Sequence, residues 1–511
     1  NGDGTFSKAL DTVFVQGVAP DAQLIAMKVF GKGGGAYDTD YMVAIEDAII
    51  LGCDAVNLSL GSASHGFVST DSYQEVLEAL TASGTVAVMS AGNNGSWATN
   101  SKSPAGLPYA DDINFFTGGS PGTFVNSLAA ASVQNAGKTG YYFQVADAKI
   151  YYNTYTKAEW SNEPLTTIPG DHEYIFIDGV GSEEDWAAVG DALVGKVAIC
   201  SRGTPSFFQK GIAAVEAGAI ATVIYNNQAG TINMDLTDYP YTQPCASLTQ
   251  ADGAAVKAAS TPVTDEEGNV LYYTGTMTIS EGMGIGQFNS PYYTMSSFSS
   301  WGVPGSLEMK PEITAPGGSI YSINGVDKSG EAYETMSGTS MASPQVAGMA
   351  AVVAQYIREN SLEEQTGLTA RQLAQSLLMS TAEPMLANAS SYHSILQQGA
   401  GLANVGAAVT ADSYITMADG SNAGAADGKV KVELGDDPAR TGSYTATFTL
   451  NNLTDTEKVF DLGANFFIQA PTSDGVNMYM YTATALIGAD VTWTVDGIEV
   501  EPNGSYYGCD F

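Results

Sequence analysis

Gly338-Thr339-Ser340-Met341-Ala342-Ser343-Pro344, followed by Val346-Ala347-Gly348-Met349-Ala350-Ala351, is the stretch on which the reading of this chain turns. Proline is tolerated in the first turn of a helix, where its missing N–H would be unpaired anyway. Pro344 therefore predicts that Ser340 sits at or just before a helix N-terminus. Free backbone N–H groups and the positive end of the helix dipole can stabilise a developing oxyanion there. Gly338 permits a sharp entry turn, and the Ala/Gly stripe lets the helix pack closely on its neighbours. By itself the segment reads equally well as a helix with a capping serine.

Upstream, strand-like and helix-like segments alternate. Leu24–Phe30 reads as a buried strand, Asp40–Leu51 as a helix with Met42, Ile45 and Ile49 on one face, and Ala55–Leu60 as a strand. Tyr73–Ser83 is helical and Val86–Met89 is a further strand. Short apolar strands with helical crossovers predict an α/β fold, a parallel sheet with helices on both faces. Gly92-Asn93-Asn94-Gly95 closes the last strand at the carboxyl edge, where open α/β sheets place their chemistry.

The texture changes near Gly137. Tyr141–Tyr155 is aromatic and strand-like, Val194–Cys200 and Ala221–Tyr225 are strands, and Phe207–Glu216 is a helix. The sheet-and-helix pattern resumes near Ser296, so residues 137–285 read as an insertion into a domain formed by 1–136 and 286–412. From Asp427, Val430, Val432 and Leu434, then Tyr444, Ala446, Phe448 and Leu450, alternate with polar residues. That period of two predicts the start of an antiparallel β-sandwich over 427–511, stopping before enough strands accumulate to close it.

Composition removes several functions. The 511 residues exceed one ordinary domain. Nineteen Lys and Arg against 55 Asp and Glu give a formal charge of −36, a field that repels nucleic acid and anionic lipid. Only 14% of residues are charged while 44% are hydrophobic, so real cores can form. No apolar run approaches the ~18 residues of a membrane span. Asn1 does not resemble a natural start and no signal peptide is visible. The four cysteines (Cys53, Cys200, Cys245 and Cys509) include no CxxC pair. They read as buried thiols, with a Cys200–Cys245 pairing left open.

The string GTSMASP resembles the nucleophile motif of subtilisin-like serine proteases, and further pieces resemble that family in its order. Gly17-Val18-Ala19-Pro20-Asp21-Ala22 resembles the segment after the histidine helix, and Asn57-Leu58-Ser59-Leu60-Gly61 the edge strand that pairs with substrate. Ser90-Ala91-Gly92-Asn93 resembles the strand end carrying the oxyanion asparagine. Ser297–Gly302 and Lys310–Gly317 resemble the run leading to the nucleophile. Asn93 and Ser340 stand 247 positions apart, more than a compact subtilisin uses. Within the excess, Gly195–Ala198, Ser201-Arg202-Gly203 and Ala214–Asn227 resemble a protease-associated (PA) domain. With a fibronectin type III-like sandwich behind it, the whole is similar to the lactocepin-type cell-envelope proteinases of Gram-positive bacteria.

The resemblance implies a secreted or cell-envelope endopeptidase acting on proteins and peptides, attached to the cell wall through regions beyond this sequence. Ser340 matches the nucleophile, Asn93 the oxyanion donor and Thr339 its support. Ser59, Leu60 and Gly61, with Ser90, Ala91 and Gly92, match the substrate-binding strands. Together with Gly118–Gly122 these are small and uncharged, favouring an uncharged side chain beside the scissile bond. No cofactor is implied. The carboxylate-rich chain leaves room for structural calcium, although no Dx[DN]x[DN]G loop is present.

Two parts of the pattern have no match. The three histidines, His65, His172 and His393, lie outside any His-Gly-Thr-His helix, and no Asp-Ser/Thr-Gly strand end precedes Ser340 suitably. Gln345 stands where many members carry histidine. The expectation is a truncated protease whose triad Asp and His lie upstream of Asn1, and whose 511 residues alone are inactive. The rival is a pseudoprotease or adhesin binding proteins through its accessory modules. A serine esterase is disfavoured because Ala342 replaces the second glycine of G-x-S-x-G.

Overall fold

The computed structural model describes residues 15–62, 71–95, 117–156, 160–228, 232, 234–287, 292–302, 308–323, 333–389, 391–422, 424–435, 437–473, 478–485 and 490–500. The chain divides into two compact units, Asn1–Ala136 with Asn289–Phe511, and Gly137–Phe288.

In the first unit, α1 (Asp38–Ile50), β1 (Ala55–Leu58), α2 (Asp71–Ala82), β2 (Val86–Ser90) and β3 (Leu128–Gln134) follow one another; β4 (Ile313–Gly318), α3 (Thr339–Glu359) and α4 (Ala370–Ser380) come after the second unit in sequence. The strands form a parallel sheet in the order β1-β2-β3-β4, with Ala55 opposite Val86, Val88 opposite Leu128 and Ile313 opposite Ala130. Successive residues of a strand face opposite sides, and β2 is buried on both. Val86 and Val88 pack with Leu128, Ala130, Ile313 and Ala315 against a stripe on α3 made by Ala342, Val346, Met349, Ala350, Val353 and Ile357. Ala87 and Met89 meet Tyr41, Met42 and Ile45 of α1 and Val76, Leu77 and Leu80 of α2. The expected layering is present.

Three local expectations fail. Leu24–Phe30 makes no strand, and Leu24 is 94% exposed. A strand needs a neighbour to pair with, and among the described residues β1 has none on its outer side. Pro344 is the sixth residue of α3, beyond the first turn. The third failure is the strand over Val430–Leu434, which does not form. Its inward-facing set is charged: Asp427 and Lys429 are buried while Leu434 is exposed. Buried Glu312 gives Lys429 a partner, while Val430 packs half-buried against the core beside it. Three antiparallel pairs occupy the later sequence: Ser413–Met417 with Phe448–Asn452, Phe467–Ser473 with Met478–Ala485, and Trp493–Val495 with Ile498–Val500.

The second unit carries its own mixed sheet. Gly170–Phe176, Val197–Ser201, Ala221–Tyr225 and Cys245–Leu248 run parallel in that order, and Val270–Gln287 joins antiparallel beside the first of them. Phe207–Glu216 is helical as expected. Cys200 and Cys245 are separate buried thiols, pushed up to about 12 chiefly by loss of solvent.

Candidate active site

The site is assembled where β1 and β2 end and α3 begins. β1 stops at Leu58, so Ser59, Leu60 and Gly61 continue past its end outside the ladder, with Ser59 and Gly61 exposed. Ser62 then exchanges backbone hydrogen bonds with Ser120 at 2.9 and 3.2 Å. That pairing brings the chains so close that a Cβ on Gly61 would lie 2.9 Å from the Ser120 carbonyl oxygen. β2 ends at Ser90, whose hydroxyl donates to the Leu60 carbonyl at 3.2 Å. The two stretches thus lie side by side, joined through this side chain.

Gly92 turns the chain with φ +111°, a conformation L side chains rarely adopt, and Asn93 follows at the surface. The Asn93 Oδ1 atom accepts from the Thr339 backbone N–H at 2.9 Å and from the Thr339 hydroxyl at 2.8 Å. A backbone N–H can only donate, so this contact fixes which end of the amide faces the helix. The Nδ2 end lies beside Gly338, within 3.3 Å of where a Cβ would stand. The Thr339 hydroxyl also accepts from Gly92 N–H at 3.1 Å. Its own proton is engaged by Asn93, which makes Thr339 an orienting group.

Ser340, the second residue of α3, is half-buried. Its Oγ donates to the Ser59 carbonyl at 3.3 Å. Pro344 has no N–H to give to the Ser340 carbonyl four residues back, and the Ser59 hydroxyl donates to that carbonyl instead, at 2.7 Å. This explains how proline is accommodated beyond the first turn. It also ties the exposed segment to the helix, with Ser59 and Ser343 hydroxyls 3.1 Å apart. The Ser59–Ser340 exchange links residues 281 positions apart, which no local pattern could reveal. Gln345 reaches away from this corner to the Pro316 carbonyl at 2.7 Å.

No general base meets Ser340 among the described residues. His393 is half-buried and its Nε2 donates to the Tyr293 carbonyl at 2.8 Å; burial pulls its pKa below the ordinary value, against that hydrogen bond. His172 belongs to the second unit and contacts the Ile168 carbonyl at 2.9 Å. His65 lies outside the described residues. Among the described residues no cluster of three His, Cys, Asp or Glu could hold a metal ion, and no helix is long and apolar enough to cross a membrane.

The geometry brings together Ser340, Asn93, Thr339 and both candidate substrate segments, and comparison with known proteins agrees in kind. The Subtilase family model matches residues 2–401. The chain belongs to the subtilase family. This subtilase is 30% identical over 474 residues to the PII-type proteinase of Lacticaseibacillus paracasei, covering 89% of this chain and 24% of that protein. It is 28% identical to the minor extracellular protease Vpr of Bacillus subtilis, covering 88% and 49%, and 28% identical to a C5a peptidase of Streptococcus pyogenes, covering 80% and 32%. The chain thus spans about a quarter of the length of the proteinase named first.

Proposed function

We propose that this subtilase is part of a secreted or cell-envelope serine endopeptidase that hydrolyses protein substrates through a Ser340 acyl-enzyme. The observation that carries the reading is the Asn93–Thr339–Ser340 arrangement: an exposed carboxamide locked by two hydrogen bonds to Thr339, the first residue of α3, with Ser340 the second. Ser340 Oγ attacks the peptide carbonyl, and the negative charge that develops on oxygen is met by Asn93 Nδ2 and the Ser340 N–H. The amine leaves, and water cleaves the ester. Substrate adds as an extended strand beside Ser59–Gly61 and Ser90–Gly92, where small residues favour an uncharged side chain at the scissile bond. The chemistry requires no cofactor, and any calcium is structural. Residues 137–285 act as a PA-like accessory domain, and the strand pairs from Phe448 onward begin a fibronectin type III-like sandwich.

A serine of this kind needs a base to take its proton, and among the described residues of its own unit none bonds to Ser340 as one. We expect the 511 residues alone to show no Ser340-dependent peptidase activity. The test is casein hydrolysis by this chain and by a longer form carrying the coding sequence upstream of Asn1. If that form contains an Asp and a His at the family's places, it should turn over casein, and Ser340→Ala should reduce turnover ~10⁶-fold, the size found on removing a subtilisin nucleophile. A longer form with no Ser340-dependent hydrolysis would overturn the protease reading in favour of a binding protein with this fold.

A further inference from the structure

The carbonyls of Phe124, Val125, Asn126 and Ser127, four in succession just before β3, all accept hydrogen bonds from buried cations. Lys310 Nζ donates to Phe124 at 2.8 Å and to Ser127 at 3.0 Å. Lys429 Nζ reaches Val125 and Ser127, and an Arg371 Nη reaches Asn126. Arg371 is in turn held by both carboxylate oxygens of Asp427 at 2.6 Å, and Lys429 by Glu312 at 3.1 Å. Gln372 and Gln375 of α4 grip the same strap through the Ala426 and Asp427 carbonyls at 2.7 and 2.6 Å. Asp427 and Lys429 lie beyond residue 401, where the family match ends.

From these carbonyls the contacts lead to the substrate segments. Ser127 Oγ, 3.0 Å from Lys310 Nζ, donates to the Gly122 carbonyl at 2.6 Å. A Cβ on Gly122 would lie 2.4 Å from the Ser90 carbonyl oxygen, so the wall abuts β2 directly. Gly119 N–H donates to the Ala91 carbonyl at 3.0 Å, and Ser120 pairs with Ser62. The space among Ala91, Gly118, Gly122, Thr123 and Lys310 is a void of about 10 Å³, at the lower limit for one water. There is little slack between Lys310 and the wall.

We infer that Lys429 and the Arg371–Asp427 pair are positioning residues for the substrate pocket, through which the segment after the matched peptidase region sets the 118–122 wall against Ser90–Gly92. The inference rests on those stretches binding substrate, as proposed above. Charged donors hold carbonyls about twice as firmly as neutral ones; replacing Lys429 leaves the Val125 carbonyl without that donor and Ser127 with Lys310 alone.

The test uses the full 511-residue chain and its Lys429→Met variant, with Lys431→Met for comparison. Lys431 reaches Glu312 and the Met309 carbonyl but none of the four wall carbonyls. Hydrogen exchange is read at the Gly119, Thr123 and Phe124 amides, which bond to Ala91, Gly119 and Pro121. Affinity is read with a fluorescein-labelled Ala-Ala-Ala-Leu peptide amide. Lys429→Met should speed exchange at these three amides about tenfold or more over the change in β3, and weaken the peptide comparably. Lys431→Met should do neither. Equal acceleration across the unit, or equal effects of both variants, would mean a merely structural cluster and overturn the inference. If Lys429→Met does not fold, Asp427→Asn carries the same expected and overturning results. A wild-type chain that fails to bind the peptide would count against the substrate-strand reading, and the exchange comparison would still decide the positioning role.

Discussion

Around Ser340 every holding contact comes from a neutral group, and Ser59 and Asn93 are open to solvent; the carbonyls of residues 124–127 are held by ammonium and guanidinium groups that carboxylates pair in turn, and Lys310, Glu312, Lys429 and Arg371 are all buried. Neutral hydrogen bonds that water can replace contribute about 0.5–1.5 kcal/mol each. Such a corner can change its partners during a reaction without threatening the fold. Buried charges behave otherwise: each depends on its counter-charge, and removing one strands the others. On the proposed reading, the chemistry falls on groups that can let go, and the wall beside it is held by groups that cannot.

The sharpest way to break this contrast is Glu312→Gln. Glu312 Oε1 lies 2.7 Å from Lys310 Nζ, 3.1 Å from Lys429 Nζ and 3.4 Å from Lys431 Nζ, while Oε2 accepts from the Ala129 N–H at 2.7 Å. The substitution should cost about 3–5 kcal/mol, read as a lowered urea midpoint. Burial by itself would raise the Glu312 pKa, but the three lysines outweigh it and hold the carboxyl down to about 2. A depressed folded-state pKa contributes stability above the unfolded value of ~4.3, lost as pH falls from there toward 2. The gap between wild type and Glu312→Gln should therefore narrow over that acid window. A gap that stays constant from pH 5 to 2 would show that the carboxylate charge is not what holds the cluster.

Asn93→Ala probes the other side. In an active form carrying its base, turnover should fall ~10²–10³-fold, the loss seen when a subtilisin loses its oxyanion amide. Stability should fall by only about 1–2 kcal/mol, less than for Glu312→Gln, because the neutral N–H and hydroxyl of buried Thr339 lose their acceptor while no charge is stranded. A fall in melting temperature as large as that of Glu312→Gln would erase the distinction between the two regions.

The same contrast explains what could be read from sequence. The corner is built from short strings, GTSMASP, SAGN and NLSLG, each legible by itself through its resemblance, and the structure places Ser340, Asn93, Thr339 and both candidate substrate segments together through contacts between the strings that are long-range. The cluster draws Lys310 and Glu312 from one segment, Arg371 from α4, and Asp427, Lys429 and Lys431 from a third. In Val430, Val432 and Leu434 the apolar residues looked like the inward set, and nothing local showed that a carboxylate waited beneath the lysines. The one available signal was Lys310 and Glu312 flanking a proline immediately before the apolar strand β4. Leu24–Phe30 misled for the complementary reason, since apolar composition supplies no pairing partner.

The smallest expected effect concerns the link between α3 and the Ser59–Gly61 segment. Pro344 leaves the Ser340 carbonyl without its helical donor, and the Ser59 hydroxyl takes that place at 2.7 Å. Ser59→Ala should cost roughly 1 kcal/mol or less, because the half-exposed carbonyl can turn to water. Pro344→Ala restores an N–H at the position from which a helix would serve that carbonyl. If the serine hydroxyl substitutes for the missing donor, Ser59→Ala should be milder in the Pro344→Ala background, with a coupling of about 0.5–1 kcal/mol in a double-mutant cycle on thermal stability. Additive effects would mean that the Ser59 bond does not compensate for the proline. The exposed segment would then be held to α3 chiefly by the reverse bond, from Ser340 Oγ to the Ser59 carbonyl, a bond that Ser340 would have to release in the role proposed for it.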